Sequence, residues 1–381
     1  MRITDIQVHY RYFGHRSWVI TEMMTDEGIT GWSEVGKNRE RAVGTMIEEL
    51  RRILIGEDPT RIEYLYERLY RMNFWIGTTE STAISAVEMC MWDILGKSLN
   101  APVYKLLGGA VRDRIRLYAH LHPEGDPSTP AAWAAGARRR VEQGYTATKC
   151  SVDFLGITRA SLSRVFRGDP AVSNRLIDAA REFLGAIRDA VGPNVDLMVD
   201  CSGRFGPAEA IRLGSALEDL RLLFFEEPCP PENVDAVIQV SRALKTPVAT
   251  GERLLGRHGF WDLLNANGVA VVQPDITNAG GIAETKKIAA MAEARYMTVA
   301  PHNRNGPLAT AQNAHLCAVI PNFLILESVG SPEFLAACSQ TLTQPLVIRD
   351  GYLELPTGPG FGVEPDREDL ARNPYRTPAH F

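Results

Sequence analysis

The sequence predicts an α/β protein: a (β/α)8-type barrel, regular or modified, preceded by an α+β domain that the C-terminal tail completes. Three observations carry this. Three apolar runs, Val195–Asp200, Leu222–Glu226 and Thr246–Glu252, each stop at a carboxylate, and Asp200, Glu226 and Glu252 stand 26 and again 26 residues apart. That interval holds one strand, one helix and two short loops. Around these runs, strand-like and helix-like patterns alternate from Asp113 to Glu327, whereas residues 1–112 run strands first and helices second.

Element by element, Ile3–Tyr10 and Ser17–Met24 read as strands, and Thr25–Gly31 turns the chain into Trp32-Ser-Glu-Val. Helical periodicity follows over Arg39–Leu54, Thr60–Met72 and Glu80–Leu95. Two aromatic and polar loops, Arg11–Arg16 and Asn73–Thr79, interrupt this unit, either as covers for a site elsewhere or as ordinary surface loops. Ile115–Ala119 then opens the alternation, with a helix at Pro130–Glu142 and a strand at Tyr145–Lys149. Ser151–Val172, polar and carrying Arg164 and Arg167, reads as an inserted loop before a helix over Asn174–Val191. After the carboxylate strands come Val269–Asp275, a helix at Ile282–Ala294, Met297–His302, a helix near Leu308–Val319, and Phe323–Glu327. That gives eight strand candidates, enough to close a barrel over residues 113–344. The glycine- and proline-rich tail, 345–381, is expected to return to the first domain, 1–112.

The chain has 381 residues, 45% hydrophobic and 23% charged, an ordinary globular composition. A net charge of −5 argues against nucleic acid and against an anionic membrane as partners. Six scattered cysteines without a CxxC pair point to reduced thiols and a cytoplasmic protein. Met1–Ile6 lacks the apolar core of a signal peptide, and no apolar run reaches spanning length.

In a parallel barrel, active sites are built where the strands end. Three carboxylates there repel one another, and a hard divalent cation such as Mg²⁺ resolves the conflict. The bland alternative is that the acids cap helices or are merely solvated. Asp275, His302 and Glu327 end three later strand candidates. A histidine beside an aspartate is held in one tautomer and made more basic, which suits general acid–base work. Glu327 is placed to meet a substrate oxygen, or else is a solvated acid.

Asp200, Glu226 followed by Glu-Pro, Glu252 after Thr-Gly, Gln273-Pro-Asp275, Pro301-His302 and Glu327, in this order, resemble the enolase superfamily in its mandelate racemase subgroup. Trp92–Lys97 and Leu106–Ala110 resemble that family's junction between capping domain and barrel. Asp200–Arg204, Gly251–Leu254 and Pro301–Asn303 are most similar to the acid-sugar dehydratases, galactonate dehydratases in particular. The resemblance implies one Mg²⁺ held by Asp200, Glu226 and Glu252, and a small-molecule acid-sugar substrate bound through its carboxylate. It makes His302 with Asp275 the acid–base pair, places Glu327 opposite the metal and Lys149 near the carboxylate, and implies a homo-oligomer.

Two departures bear on the reaction. Ser151 occupies the place of the racemases' far-face lysine, and Ser202 that of the histidine of galactonate dehydratases. A serine hydroxyl is too weakly basic to replace either. Two-base racemisation is thereby disfavoured, and a one-base syn elimination by His302, giving a 2-keto-3-deoxy acid sugar, is the expected activity. Isomerisation or cycloisomerisation, and a non-catalytic metal-binding role, are the alternatives. Tyr145, Tyr12 and His15 are candidates for a missing group. Arg16, Trp75, His258 and Ser202 are the substrate-binding candidates. Arg204 and Arg253 read as companions of the acids, and His120 and His122 as rim or loop residues. His9, His315 and His380 read as structural or exposed.

Overall fold

The computed structural model describes residues 1–14, 16–36, 39–72, 74–152 and 173–377; His15, His380 and the inserted loop beyond Val152 lie outside them. The chain begins with an antiparallel meander, β1 (Ile3–Tyr12), β2 (Ser17–Thr25) and β3 (Thr30–Val35). Helices Glu40–Leu54, Ile62–Met72 and Thr78–Ser98 follow. The first two each bury one apolar stripe. The third is buried nearly all round, because it lies between β3 and a barrel helix, Gly281–Glu293.

Eight strands come next: β4 (Arg114–His120), β5 (Ala147–Ser151), β6 (Asp196–Asp200), β7 (Phe224–Glu226), β8 (Val248–Thr250), β9 (Val271–Val272), β10 (Thr298–Val299) and β11 (Leu326–Ser328). Neighbours pair in parallel from β4 to β10, and β11 pairs back onto β4. A bridge from Val299 to Phe323 joins β10 to the chain entering β11. Each strand matches one of the expected apolar runs, and the (β/α)8 barrel is present. Period-two alternation sends Tyr118, Ala147, Met198, Phe224, Ala249, Val271, Ala300 and Ile325, one from each strand or the residue next to its end, into a separate lumen core. The intervening residues, such as Val199, Phe225, Val248 and Val272, face the helices.

Two buried glutamates fasten the N-terminal unit to the barrel. Glu34 in β3 accepts the backbone N–H groups of Gly306, Leu308 and Ala309, where helix Pro307–Val319 starts. Glu88 accepts those of Ile282 and Ala283, where helix Gly281–Glu293 starts. Helix starts offer such unmet donors together with the positive end of the dipole. Burial pushes both carboxyls up to about 7, and the backbone donors pull the other way. A Cβ on Gly281 would fall on the Glu88 carboxylate, so glycine is required there.

The tail touches both units. β12 (Ile348–Arg349) and β13 (Tyr352–Glu354) form a hairpin, and β13 pairs antiparallel with β4. Farther on, the N–H of Phe361 donates to Asp93, and Arg11 holds helix Arg367–Arg372 to β1 through Asp369 at 2.9 Å. Among the described residues, no helix is long and apolar enough to cross a membrane.

His315 is structural and fully buried. Its Nδ1 accepts the N–H of Tyr104 at 3.1 Å, and its Nε2 donates to the carbonyl of Phe361 at 3.1 Å, which requires the neutral ring. Burial pushes its pKa down from 6.5 to about 4. The unfolded chain therefore takes up this proton first, and stability is lost as pH falls from about 6.5 toward 4. This group is expected to remove about 2 kcal/mol between pH 8 and pH 5. Urea unfolding of His315→Gln at the two pH values should show that part of the slope missing. In the same assay, Glu34→Ala leaves three buried N–H groups without an acceptor, and a loss of about 3 kcal/mol or more is expected.

Candidate active site

Two residues beyond the lumen core on each strand stand His120, Lys149, Asp200, Glu226, Gly251, Gln273, His302 and Glu327. Alternation turns all of them inward at the C-terminal end of the barrel. Asp200 and Glu226 are register partners on β6 and β7, and Glu252 and Asp275 sit just beyond β8 and β9.

Contacts tie these groups together. Lys149 Nζ lies 2.6 and 2.8 Å from the two oxygens of Glu226 and 3.0 Å from Glu327 Oε1. His302 Nδ1 is 2.7 Å from Asp275 Oδ2. Its Nε2 is 3.1 Å from Glu252 Oε2 and 3.7 Å from Glu327 Oε2. His120 Nε2 meets Glu327 Oε1 at 2.5 Å. Six of the seven residues expected to act in catalysis or to bind metal are joined by these contacts, and the seventh, Asp200, is the register partner of Glu226.

Its electrostatics are lopsided. Among the described residues of the ring, Asp200, Glu226, Glu252, Asp275 and Glu327 meet one lysine, Lys149, and two histidines, His120 and His302. Burial pushes Glu226 well above the usual carboxylate range, and the charges of Asp200, Glu327 and Glu252 push the same way against Lys149. Burial disfavours the charge on Lys149, yet Glu226 and Glu327 outweigh it and raise its pKa well above that of an ordinary lysine. Lys149 is therefore a fixed positive charge and no base. Burial pushes His120 down to about 4, so it meets Glu327 as a neutral N–H donor.

The segment after β10 braces the dyad. Asn303 donates its N–H to Glu327 Oε2 at 2.7 Å, and Asn305 donates its amide to Asp275 at 3.3 Å. Thr277 gives Asp275 Oδ1 an N–H at 2.9 Å and a hydroxyl at 2.8 Å. With its oxygens supplied with donors, Asp275 accepts Nδ1–H of His302, which leaves Nε2 to carry a lone pair or a second proton. On the other side of the ring, Glu227 binds Arg253 and the N–H of Gly251, which fixes the turn that carries Glu252.

Among the described residues, no three such side chains are arranged to hold a metal as they stand. Glu226 gives both oxygens to Lys149, and Glu252 turns toward His302. The donor set nevertheless fits Mg²⁺: three hard carboxylates at adjacent strand ends, in a ring with more negative charge than its own cations offset. Lys149 supplies some of the positive charge that a cation would bring.

The substrate-binding candidates fare differently. Ser202, in the left-handed region at φ 49°, donates its N–H and hydroxyl to Asp200 Oδ1 at 2.6 and 3.1 Å. It therefore orients that acid. Arg16 donates to the carbonyl of Arg304 at 2.6 Å, two residues past His302. Trp75 is 81% exposed and edge-on to Phe74, and His258 is exposed beside Tyr70. Neither is gathered into the ring. Tyr145 packs with Ile115, Leu117 and Ala119 on the outward side of β4, outside the lumen. Tyr12 donates its hydroxyl to the carbonyl of Gly14. Sequence reasoning missed Gln273, Asn303 and Asn305; the step of two along each strand was the available signal for Gln273.

Residues 2–108 match the model of the mandelate racemase / muconate lactonizing enzyme N-terminal domain, and residues 132–370 that of the enolase C-terminal domain-like family. The chain is 39% identical over 355 residues to a D-galactonate dehydratase of Verminephrobacter eiseniae, covering 91% of this chain and 88% of that protein. It is 34% identical over 368 residues to a D-xylonate dehydratase of Haloferax volcanii, covering 96% and 87%. The solved mandelate racemase/muconate lactonizing enzyme from a Sulfitobacter species superposes with a TM-score of 0.91 at 36% identity, over 99% of this chain and 96% of that one. With this fold and these matches, the chain belongs to the mandelate racemase / muconate lactonizing enzyme family of the enolase superfamily.

Proposed function

We propose that the chain is a Mg²⁺-dependent acid-sugar dehydratase, a hydro-lyase that removes the proton α to a carboxylate and expels the β-hydroxyl. One observation supports this above the others. A histidine held by a buried aspartate stands among four further carboxylates, beside a lysine that stays charged. The dehydratase relatives agree with this reading.

Asp200, Glu226 and Glu252 would hold the cation. When bound, Mg²⁺ would neutralise the charge that develops on the substrate carboxylate, without which histidine is too weak a base for that proton. Lys149 adds a fixed positive charge on the same side. Asp275 anchors Nδ1–H of His302, so Nε2 faces the lumen as the base. Nε2 takes the α-proton, and the C–H electron pair becomes the new carbon–carbon double bond. The β-carbon–oxygen bond breaks, and the same Nε2–H protonates the departing oxygen, which leaves as water. The enol product tautomerises to a 2-keto-3-deoxy acid. One nitrogen serves both transfers, so both leaving groups depart from one face. Ser202 is committed to Asp200, and it supplies no base on the other face.

A panel of acid sugars including D-galactonate and D-xylonate, assayed with Mg²⁺ for 2-keto-3-deoxy products, tests the reading. His302→Asn is expected to lower kcat at least about 100-fold while its unfolding temperature stays near that of the wild type. Turnover that persists in this variant removes His302 from the reaction, and sugar binding without turnover by the wild type indicates a binding role instead. Metal removal is a separate check. EDTA is expected to abolish turnover and Mg²⁺ to restore it. At 100 times its dissociation constant, Mg²⁺ should stabilise the wild type by about 2.7 kcal/mol, and Asp200→Asn should lose that gain.

A further inference from the structure

Gln273 occupies a position in the ring to which the reaction above gives no task. Val271 belongs to the lumen core and Val272 to the outer core, so the next side chain returns to the lumen, level with Lys149 and Glu226. Gln273 is 1% exposed. Neither its Oε1 nor its Nε2 has a hydrogen-bond partner. Its backbone is fixed, with the N–H donating to the carbonyl of Thr250 at 2.9 Å. Native interiors meet nearly all such atoms, so an amide with both ends unmet marks a place where something binds.

The surroundings narrow what that is. Gln273 stands just past β9, between Gly251 and Glu252 after β8 and His302 after β10. Its carboxamide has a donor end and an acceptor end, so a single partner that meets either of them in turn must be able both to accept and to donate. A carboxylate can meet only the amide nitrogen and a cation only the amide oxygen, whereas a hydroxyl can meet either end. We propose that Gln273 binds a substrate hydroxyl beside the carbon that loses its proton to His302, and is a specificity-determining residue. The inference rests on the dehydratase reading. It adds a neutral contact to a site whose other inward groups are charged, histidine or glycine. A chain of hydroxyls is what separates a sugar acid from a simple carboxylic acid.

Gln273→Met, similar in length and without polar atoms, is the test, with Gln273→Asn as the variant that keeps the amide one methylene short. The sugar is whichever one the wild type turns over in the acid-sugar panel. The methionine variant should unfold at the wild-type temperature or above it, because two unmet polar atoms are removed. Its kcat/KM should fall on the order of 10- to 100-fold, mainly through KM, and the asparagine variant should lie between. A kcat/KM within about twofold of wild type leaves only a buried water as occupant and overturns the proposal. A lower unfolding temperature in the methionine variant assigns the amide to the fold and overturns it as well. Absence of wild-type turnover on the whole panel is a different failure: it removes the dehydratase reading, and this inference with it.

Discussion

An excess of buried negative charge at one end of the barrel governs the rest of this structure. Asp200, Glu226, Glu252, Asp275 and Glu327 converge where the strands end, and among the described residues of the ring Lys149 is the one lysine or arginine that opposes them. Isolated charges in a protein interior are costly, and pairing offsets that cost only when the remaining lone pairs are also met. The neighbouring structure answers this need. Lys149 is locked in its charged state, His120 is held neutral to donate to Glu327, and Asp275 and Glu227 collect backbone and side-chain donors. Beneath the ring, the lumen core is a layer of packed, largely apolar side chains. Such a site disfavours the empty protein locally and favours whatever positive charge enters it.

The stretch from His302 to Gly306 carries this demand to the N-terminal unit. His302 meets Asp275 and Asn303 braces Glu327, while Arg304 accepts from Arg16. Asn305 braces Asp275, and Gly306 donates to Glu34. Gly306 has no room for a side chain, because a Cβ would strike the ring of Trp18. Trp18 in turn stacks on Phe13, at 4.3 Å between centroids. The orientation of the proposed base thus depends on β2 and β3 as well as on the barrel. The first unit supports the site from the side, at the start of a helix, in addition to any part it has in covering it.

What was legible in the sequence was what a short local pattern encodes. An apolar run ending in an acid marks a buried strand with a functional tip, and a repeat at a fixed interval marks the β/α unit. His120 was left open because its strand was read as ending at Ala119; β4 runs one residue farther, and the step of two from Tyr118 then makes His120 a ring member. Gln273 was hidden inside Gln-Pro-Asp275, where the acid drew the reading. Glu34 and Glu88 were not legible at all, since their partners lie 272 and 194 residues away and a glutamate in a strand or helix has no local mark of burial. Trp75 was chosen for its place in an aromatic loop that could cover a site and His258 for nearness in sequence to Glu252, and neither criterion fixes the direction of a side chain.

The order of groups around the ring also limits the chemistry. In a closed barrel of eight strands, the strand opposite β10 is β6, four places away in either direction. A second base facing His302 across a substrate would therefore come from the tip of β6 or close to it. That tip carries Asp200, proposed to hold the cation, followed by Ser202, whose hydroxyl and N–H both serve Asp200. Beside it, β5 offers Lys149, fixed in its charged form by Glu226 and Glu327. A proton taken by His302 thus has no acidic or basic counterpart across the lumen among these groups. Racemisation needs such a counterpart, to deliver a proton to the opposite face. Elimination by a single histidine does not, because the proton it removes from carbon is the one it returns to the departing oxygen.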